Sequence, residues 1–196
     1  MNRAGHQEIH GETIAQFEFS QQGWNPFRHY RDEDQVDLLL RRRQQPDGPP
    51  EYREIQVKWC RTWGQEHLSA WQRPLFTHVS WRGFSAGDFI QHRPELFVAF
   101  VLPAADGVYN GDIFLFTSQA FHDLIQRAPL MKQGTSHKAF VLGHTPQDRW
   151  FLLFSQNKFP SVNAQTCCDV TPARRDFALL DVAPRPQPAT LNPQLA

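Results

Sequence analysis

The sequence predicts an α/β fold, because segments with the apolar spacing of helices alternate with segments that have the two-residue alternation of strands. The helical patterns cover residues 6–22 and 118–128. The strand patterns cover residues 24–30, 35–42, 52–60, 95–102, 112–117, 137–142 and 149–154. We expect these elements to share one core, since 196 residues suffice for one domain and hardly for two.

The first helix is predicted from its apolar spacing. Ile9, Thr13, Ile14 and Phe17 lie on or near one face of a helix. Gly23 is suited to end that helix, because glycine tolerates the left-handed conformation that commonly follows a last turn.

The remaining connections are predicted from turn and cap residues. Residues 44–51 are rich in Pro, Gly and Asp and predict a turn, and Asn110-Gly111 predicts a tight hairpin turn. Ser118 is the expected N-cap of the second helix. Residues 61–93 show no clear period, and we interpret them as a helix followed by an ordered loop.

The composition is that of a globular protein, with 40% hydrophobic and 20% charged residues. Basic and acidic residues number 20 each, so binding to nucleic acid would need local positive patches. Cys60, Cys167 and Cys168 do not make a disulfide framework and fit a reducing compartment. We expect a cytoplasmic protein outside membranes, with one domain over residues 1–182 and a proline-rich tail over 183–196.

Polar side chains gather on two neighbouring predicted strands. A hairpin folded about Asp47-Gly48 would place Asp37 opposite Lys58, with Gln56 on the same face. A carboxylate, an amide and an ammonium group between apolar residues need compensation if they are buried. Oxygen ligands around a divalent ion, with a lysine beside them, suit the hydrolysis of a phosphodiester.

Three short motifs in this order resemble the PD-(D/E)XK nuclease superfamily. They are GE at residues 11–12, VDLLL at residues 36–40 and IQVK at residues 55–58. The Gln-x-Lys version is similar to that of Mrr-type restriction endonucleases and Holliday-junction-resolvase-like proteins. The resemblance covers about the first third of the chain, and it implies a restriction-endonuclease-like core with a mixed central sheet flanked by helices.

The resemblance also implies a role for each matching residue. Asp37 would bind Mg²⁺ or Mn²⁺, the Gln56 side-chain oxygen and the Val57 carbonyl would complete the metal site, and Lys58 would activate or orient water. Glu12 would assist from the first helix. The sequence departs from the family pattern in two places, because Gln56 carries no charge and no proline precedes Asp37.

Simpler interpretations of these residues stay open. Asp37 also suits an ion pair with Lys58 or an arginine, and Glu12 suits a solvated helix surface. Glu54 becomes an alternative metal ligand if the hairpin register slips by two residues.

Two further groups of residues are candidates for contact with nucleic acid. Phosphates would meet a set of arginines, whose simpler role is that of a solvated strand end: Arg41, Arg42, Arg43 and Arg61. Unpaired bases would stack on a set of tryptophans, whose simpler role is packing under a loop: Trp59, Trp63, Trp71 and Trp81.

The sequence therefore predicts a metal-dependent endonuclease that acts on DNA, with RNA as a second substrate candidate. The resemblance also implies a homodimer or a larger complex, since small nucleases of this superfamily often cut two strands in that way. The alternative is a catalytically inactive module of the same fold that binds nucleic acid or a protein partner.

Overall fold

The computed structural model describes residues 3–28, 36–84, 93, 95–128, 137–154 and 159–182. Two α-helices and ten strands follow one another in these ranges, together with three short 3₁₀ helices, and strands supply most of the residues in these elements. In chain order they are α1 (Arg3–Gln21), β1 (Asn25–Arg28), β2 (Leu38–Arg42), β3 (Glu51–Trp59), β4 (Arg61–Gly64), β5 (His78–Phe84), β6 (Leu96–Pro103), β7 (Tyr109–Thr117), α2 (Ser118–Arg127), β8 (Lys138–His144), β9 (Trp150–Leu153) and β10 (Cys167–Asp169).

The strands form two five-stranded sheets. The first sheet has the order β1-β2-β3-β6-β7, and the second has the order β10-β9-β8-β5-β4. Strands β3 and β6 run parallel, whereas the other pairs in both sheets are antiparallel. The predicted α/β class with a mixed sheet is confirmed, and the second sheet is an addition that the sequence did not predict.

The two sheets share one extended stretch of chain. Only Cys60 separates β3 in the first sheet from β4 in the second, and its N–H donates to the Val101 carbonyl of β6 at 3.0 Å. The chain thus passes from one sheet to the other without a loop. This crossing overturns the interpretation of residues 61–93 as helix and loop, because the described part of that segment contains β4 and β5.

Three clusters of buried side chains hold the layers together. The inner core lies where both sheets and α2 contribute side chains, the helix core lies where α1 meets the first sheet, and the outer core covers the other face of the second sheet. Every residue of β6 is buried, as expected for a strand covered on both faces. Representative members are Phe100, Phe121 and Phe140 in the inner core, Phe19, Ile55 and Val101 in the helix core, and Phe76, Val79 and Phe159 in the outer core.

Helix α1 ends as predicted. The Trp24 N–H donates to the Phe19 carbonyl at 3.1 Å and the Gly23 N–H donates to the Ser20 carbonyl at 3.0 Å. These bonds form a Schellman cap, with Gly23 in the left-handed conformation at φ 78°. Trp24 and Phe19 both lie in the helix core, which supplies the apolar contact that accompanies such caps.

The buried face of α1 differs from the predicted face. Phe17 is 62% exposed and Ile9 is 36% exposed, whereas Ala15 and Phe19 are fully buried. At Gly11 the helix comes close to β3, because a Cβ added there would lie 3.4 Å from the Trp59 Cβ, at ordinary contact distance. The helix therefore packs on the first sheet through the face that carries Gly11, Ala15 and Phe19 rather than through the face that carries Ile9 and Phe17.

Two further local predictions are wrong. The β6–β7 hairpin turns at Ala104–Val108, and Gly111 lies instead in β7, where the register with β6 shifts. Thr117 rather than Ser118 is the N-cap of α2, since its hydroxyl oxygen accepts the Ala120 N–H at 3.1 Å.

The remaining predicted elements lie close to their expected positions, and the predicted tail over residues 183–196 lies outside the described residues. Within the described ranges, no helix is long and apolar enough to cross a membrane.

Candidate functional site

The register of the β2–β3 hairpin positions the candidate residues. Leu38 is paired with Ile55, which places Asp37 next to Gln56 and corrects the predicted pairing of Asp37 with Lys58 by two residues. The cause is the turn, because Pro46 occupies its second position and the Gly48 N–H donates to the Gln45 carbonyl at 3.1 Å.

Asp37 is bound to the edge of β3 through its backbone and its side chain. Its N–H donates to the Ile55 carbonyl at 3.0 Å, and its Oδ2 accepts the Val57 N–H at 2.6 Å. The carboxylate takes the place of a backbone acceptor at the point where β2 begins. This contact fixes Asp37 beside the Gln-x-Lys segment of β3.

The Val57 carbonyl lies on the same edge of β3 as Asp37. The Glu54 N–H points to β6, where it donates to the Glu95 carbonyl, whereas the Val57 N–H points to Asp37. Since the N–H and C=O groups of one strand residue point to the same side, the Val57 carbonyl also faces Asp37's edge. One side-chain carboxylate and one backbone carbonyl therefore share that edge.

Gln56 and Lys58 project toward the inner core. They are paired with Val98 and Phe100 of β6, both of which belong to that core. Gln56 is 2% exposed and Lys58 is half-buried. The structure thus brings Asp37, Gln56, Val57 and Lys58 together along one hairpin.

Glu12 approaches from the other side of the sheet. Helix α1 packs on the face of β3 that carries Val57 and Trp59, and the Glu12 carboxylate lies 3.7 Å from the Arg28 guanidinium. Arg28 is paired with Leu38, the residue that follows Asp37. Arg28 was not among the predicted site residues, since a lone arginine in an aromatic strand carries no signal of its own.

The donor set agrees in chemical type with a hard divalent ion. Asp37, Gln56 and the Val57 carbonyl all offer oxygen, and Mg²⁺ is usually held by one or two carboxylates together with substrate phosphates and water. In the described part of the chain, no group of three or more His, Cys, Asp or Glu side chains is placed to hold a metal. An ion at this edge would therefore depend on Asp37 for its charged ligand.

Glu54, the alternative ligand, is occupied elsewhere, because the Arg93 guanidinium donates to its carboxylate at 2.6 Å.

The predicted arginines lie apart from this hairpin edge. Arg41 to Arg43 follow Asp37 by four to six strand positions, which corresponds to roughly 13–20 Å. Arg42 bonds Glu51 and Asp181 and stacks over Trp24 at 4.1 Å, so its guanidinium supports the fold. Arg61 begins β4 and lines a groove on the second sheet.

The structure also reveals a chain of polar contacts that the sequence did not predict. Thr77 Oγ1 lies 2.8 Å from His144 Nδ1 and 3.0 Å from His78 Nδ1, and His144 Nε2 lies 2.9 Å from Asp148 Oδ1. Burial, together with the nearby charges of His144 and Arg174, lowers the pKa of His78 to about 4. These residues meet across β5 and β8, so no sequence motif could have joined them.

Comparisons with protein-family models, curated proteins and solved structures found no significant match to this chain. Its function must therefore be argued from the geometry of its own residues.

Proposed function

We propose that this protein is a metal-dependent nuclease that hydrolyses phosphodiester bonds of DNA at the Asp37 edge of β3. One observation carries the proposal: the 2.6 Å bond from the Val57 N–H to Asp37 Oδ2, which holds a carboxylate beside the Gln-x-Lys segment. A purely structural central strand gains little from such a concentration of polar groups among buried apolar residues.

The proposed metal ligands are Asp37 Oδ1 or Oδ2, the Gln56 side-chain oxygen and the Val57 carbonyl, with Mg²⁺ or Mn²⁺ as the ion. Bound there, such an ion neutralises phosphate charge and lowers the pKa of a coordinated water. Gln56 contributes no charge, so the substrate phosphate completes the charged ligand set.

The chain's own residues have separate tasks in this proposal. The Lys58 ammonium orients the attacking water and stabilises the extra negative charge on the phosphate. The Glu12 carboxylate, which pairs with Arg28, adds negative charge near the metal site from the side of α1. A homodimer or a larger complex would allow two strands of DNA to be cut, and RNA is the second substrate to test.

The test is a cleavage assay on duplex, single-stranded and branched DNA and on RNA, with Mg²⁺ or Mn²⁺. Asp37→Asn keeps an oxygen that accepts the Val57 N–H, and Lys58→Met keeps most of the side-chain volume. We expect each variant to lose at least about a hundredfold in rate. Matched controls, Asp47→Asn at an exposed turn and Lys138→Met on β8, should cleave like the native protein.

A second candidate function is a catalytically inactive module that binds nucleic acid or a protein. The contacts that favour it are those of Asp37 with Val57 and of Glu12 with Arg28, because both carboxylates then serve the fold. Thermal unfolding distinguishes the two functions. A nuclease site predicts that Mg²⁺ raises the Tm of the native protein and leaves the Tm of Asp37→Asn unchanged. If the native protein has the same Tm with and without Mg²⁺ and cleaves no substrate, the inactive module is supported.

A further inference from the structure

A groove of about 660 Å³ lies on the outer face of the second sheet. Strands β4 and β5 and the segment at residues 67–72 form its walls, and Val79, Val141 and Leu153 contribute apolar lining. Trp63, Trp71 and Trp81 also line it. Its volume is in the range of small-molecule sites, which are concave, largely apolar and mostly preformed.

The indole rings in this groove differ in how strongly they are packed. Trp71 and Trp81 pack against the outer core, and the Trp71 ring lies 4.6 Å from Phe159. Trp63 joins none of the three buried clusters found among the described residues. Its ring lies 6.1 Å from that of Trp81 at an angle of 61°, and both rings are half-buried. Trp63 is thus part of the groove wall rather than of a buried core.

The charges around the groove favour an anion. Arg61 is exposed, its guanidinium carbon lies 5.2 Å from the Trp63 ring, and it forms no ion pair within the described ranges. His67 is the other ionisable lining residue, and it lies 3.6 Å from the carboxylate of exposed Glu66, which is outside the lining. The positive charge of Arg61 would repel a cationic ligand. A planar ligand that carries a negative charge would stack on the tryptophan rings and pair with Arg61.

We propose that this groove binds an unpaired nucleotide of a single nucleic-acid strand. The base stacks on the Trp63 ring with its edge toward the Trp81 ring, and Arg61 contacts the phosphate. Stacking on an aromatic side chain tolerates any base, because every base presents a π-face. The planar guanidinium of arginine matches phosphate oxygens better than a lysine ammonium does.

The groove itself is independent of the nuclease site, but the choice of a strand over a free nucleotide rests on the proposed function. Lys58 and Trp63 are five residues apart on the nearly continuous β3–β4 chain, which corresponds to roughly 17 Å. At the roughly 3.4 Å rise per nucleotide of a stacked strand, that span sets a minimum of about five nucleotides between the two positions. Because the two side chains project from opposite faces, the strand would pass around β4, the edge strand of its sheet.

The test is a binding measurement in EDTA, so that cleavage does not interfere. Fluorescence anisotropy of a labelled ten-nucleotide DNA or RNA of mixed sequence is followed at one fixed salt concentration. We expect Trp63→Leu and Trp81→Leu each to weaken binding by about tenfold, and Trp63→Phe to weaken it less. Tyr52→Leu, which removes a 48% exposed aromatic side chain from β3, should bind like the native protein.

Each outcome decides between alternatives. Thermal unfolding identifies variants that lose their fold, and tryptophan fluorescence, quenched by stacking in the native protein, provides a second readout. Equal affinity of native protein and both tryptophan variants, or no binding by the native protein, overturns the groove proposal. Equal affinity for AMP and the oligonucleotide overturns the choice of a strand. Tight binding without any cleavage in Mg²⁺ would refute the nuclease function and leave the groove proposal intact.

Discussion

His78 is a residue whose ionisation is opposed by its surroundings. Its ring lies 4.6 Å from the His144 ring and 5.0 Å from the Trp150 ring, and its Nδ1 lies 3.0 Å from Thr77 Oγ1. Burial first, and then the positive charges of His144 and Arg174, lower the pKa of His78 to about 4. A neutral His78 is therefore part of the folded state at neutral pH.

Acid should destabilise the protein through this histidine. In the unfolded chain, His78 has a pKa of about 6.5 and takes up a proton below that pH. In the folded protein it takes up the proton only near pH 4, so the free energy of unfolding falls as the pH drops from about 6.5 to about 4. We expect this loss to be about 1–2 kcal/mol after solvent screening of the partly exposed ring. Urea unfolding from pH 7.5 to pH 4 measures it, and His78→Gln should remove it. Parallel pH curves for the two proteins would contradict the prediction.

At the scale of elements, Gly143 shows how one strand accepts a ring directly against its backbone. A Cβ at this position of β8 would lie 2.5 Å, 2.6 Å and 3.0 Å from atoms of the Phe76 ring. Phe76 is fully buried in the outer core and has little room to move. The absence of a side chain at Gly143 is thus a packing requirement rather than a backbone one.

Gly143→Ala should destabilise the protein by about 1–3 kcal/mol, because the added methyl group displaces the Phe76 ring or the strand. Gly11→Ala in α1 is the matched control, since its Cβ would lie at ordinary contact distances from Trp59 of β3. Because alanine favours a helix more than glycine does, we expect this variant to leave the free energy of unfolding unchanged or to raise it by about 0.5–1 kcal/mol. Chemical denaturation of both variants measures the difference, and equal effects would refute the packing argument.

At the scale of the whole molecule, one buried carboxylate joins distant parts of the chain. Glu18 of α1 is 5% exposed, and its carboxylate accepts a hydrogen bond from the Tyr109 hydroxyl at 2.7 Å. It also accepts hydrogen bonds from both terminal nitrogens of Arg175, at 2.8 Å and 3.1 Å. Burial and then Glu18 raise the pKa of Tyr109. The cluster connects α1, β7 and the chain that follows β10.

Arg175→Met should lower the free energy of unfolding by about 2–3 kcal/mol, because it leaves the Glu18 charge buried without its cation. Adding Glu18→Gln to this variant should recover part of the loss. Arg149→Met, which breaks a more exposed pair with Asp169, should cost only about 0–1 kcal/mol. Equal losses for the two arginine variants would show that burial of Glu18 contributes nothing.

The proximity of Asp37 to the Gln-x-Lys segment was predictable, and its exact register was not. Asp37 and the Gln-x-Lys segment were expected on neighbouring strands, and they lie there. Their register was wrong by two residues, because several turns fit the Pro- and Gly-rich segment and only the paired strands select one. Whether these residues bind a metal and cleave DNA stays a prediction.

The sequence by itself determined the α/β class, the end of α1 at Gly23 and most strands, because caps and apolar periods depend on residues a few positions apart. The tertiary structure alone decided which face of α1 is buried, how β3 continues into β4 at Cys60 and where the tryptophan groove opens. The physical reason is distance along the chain. Side chains far apart in sequence set these features by packing, and a single sequence carries no local signal for which of them will meet.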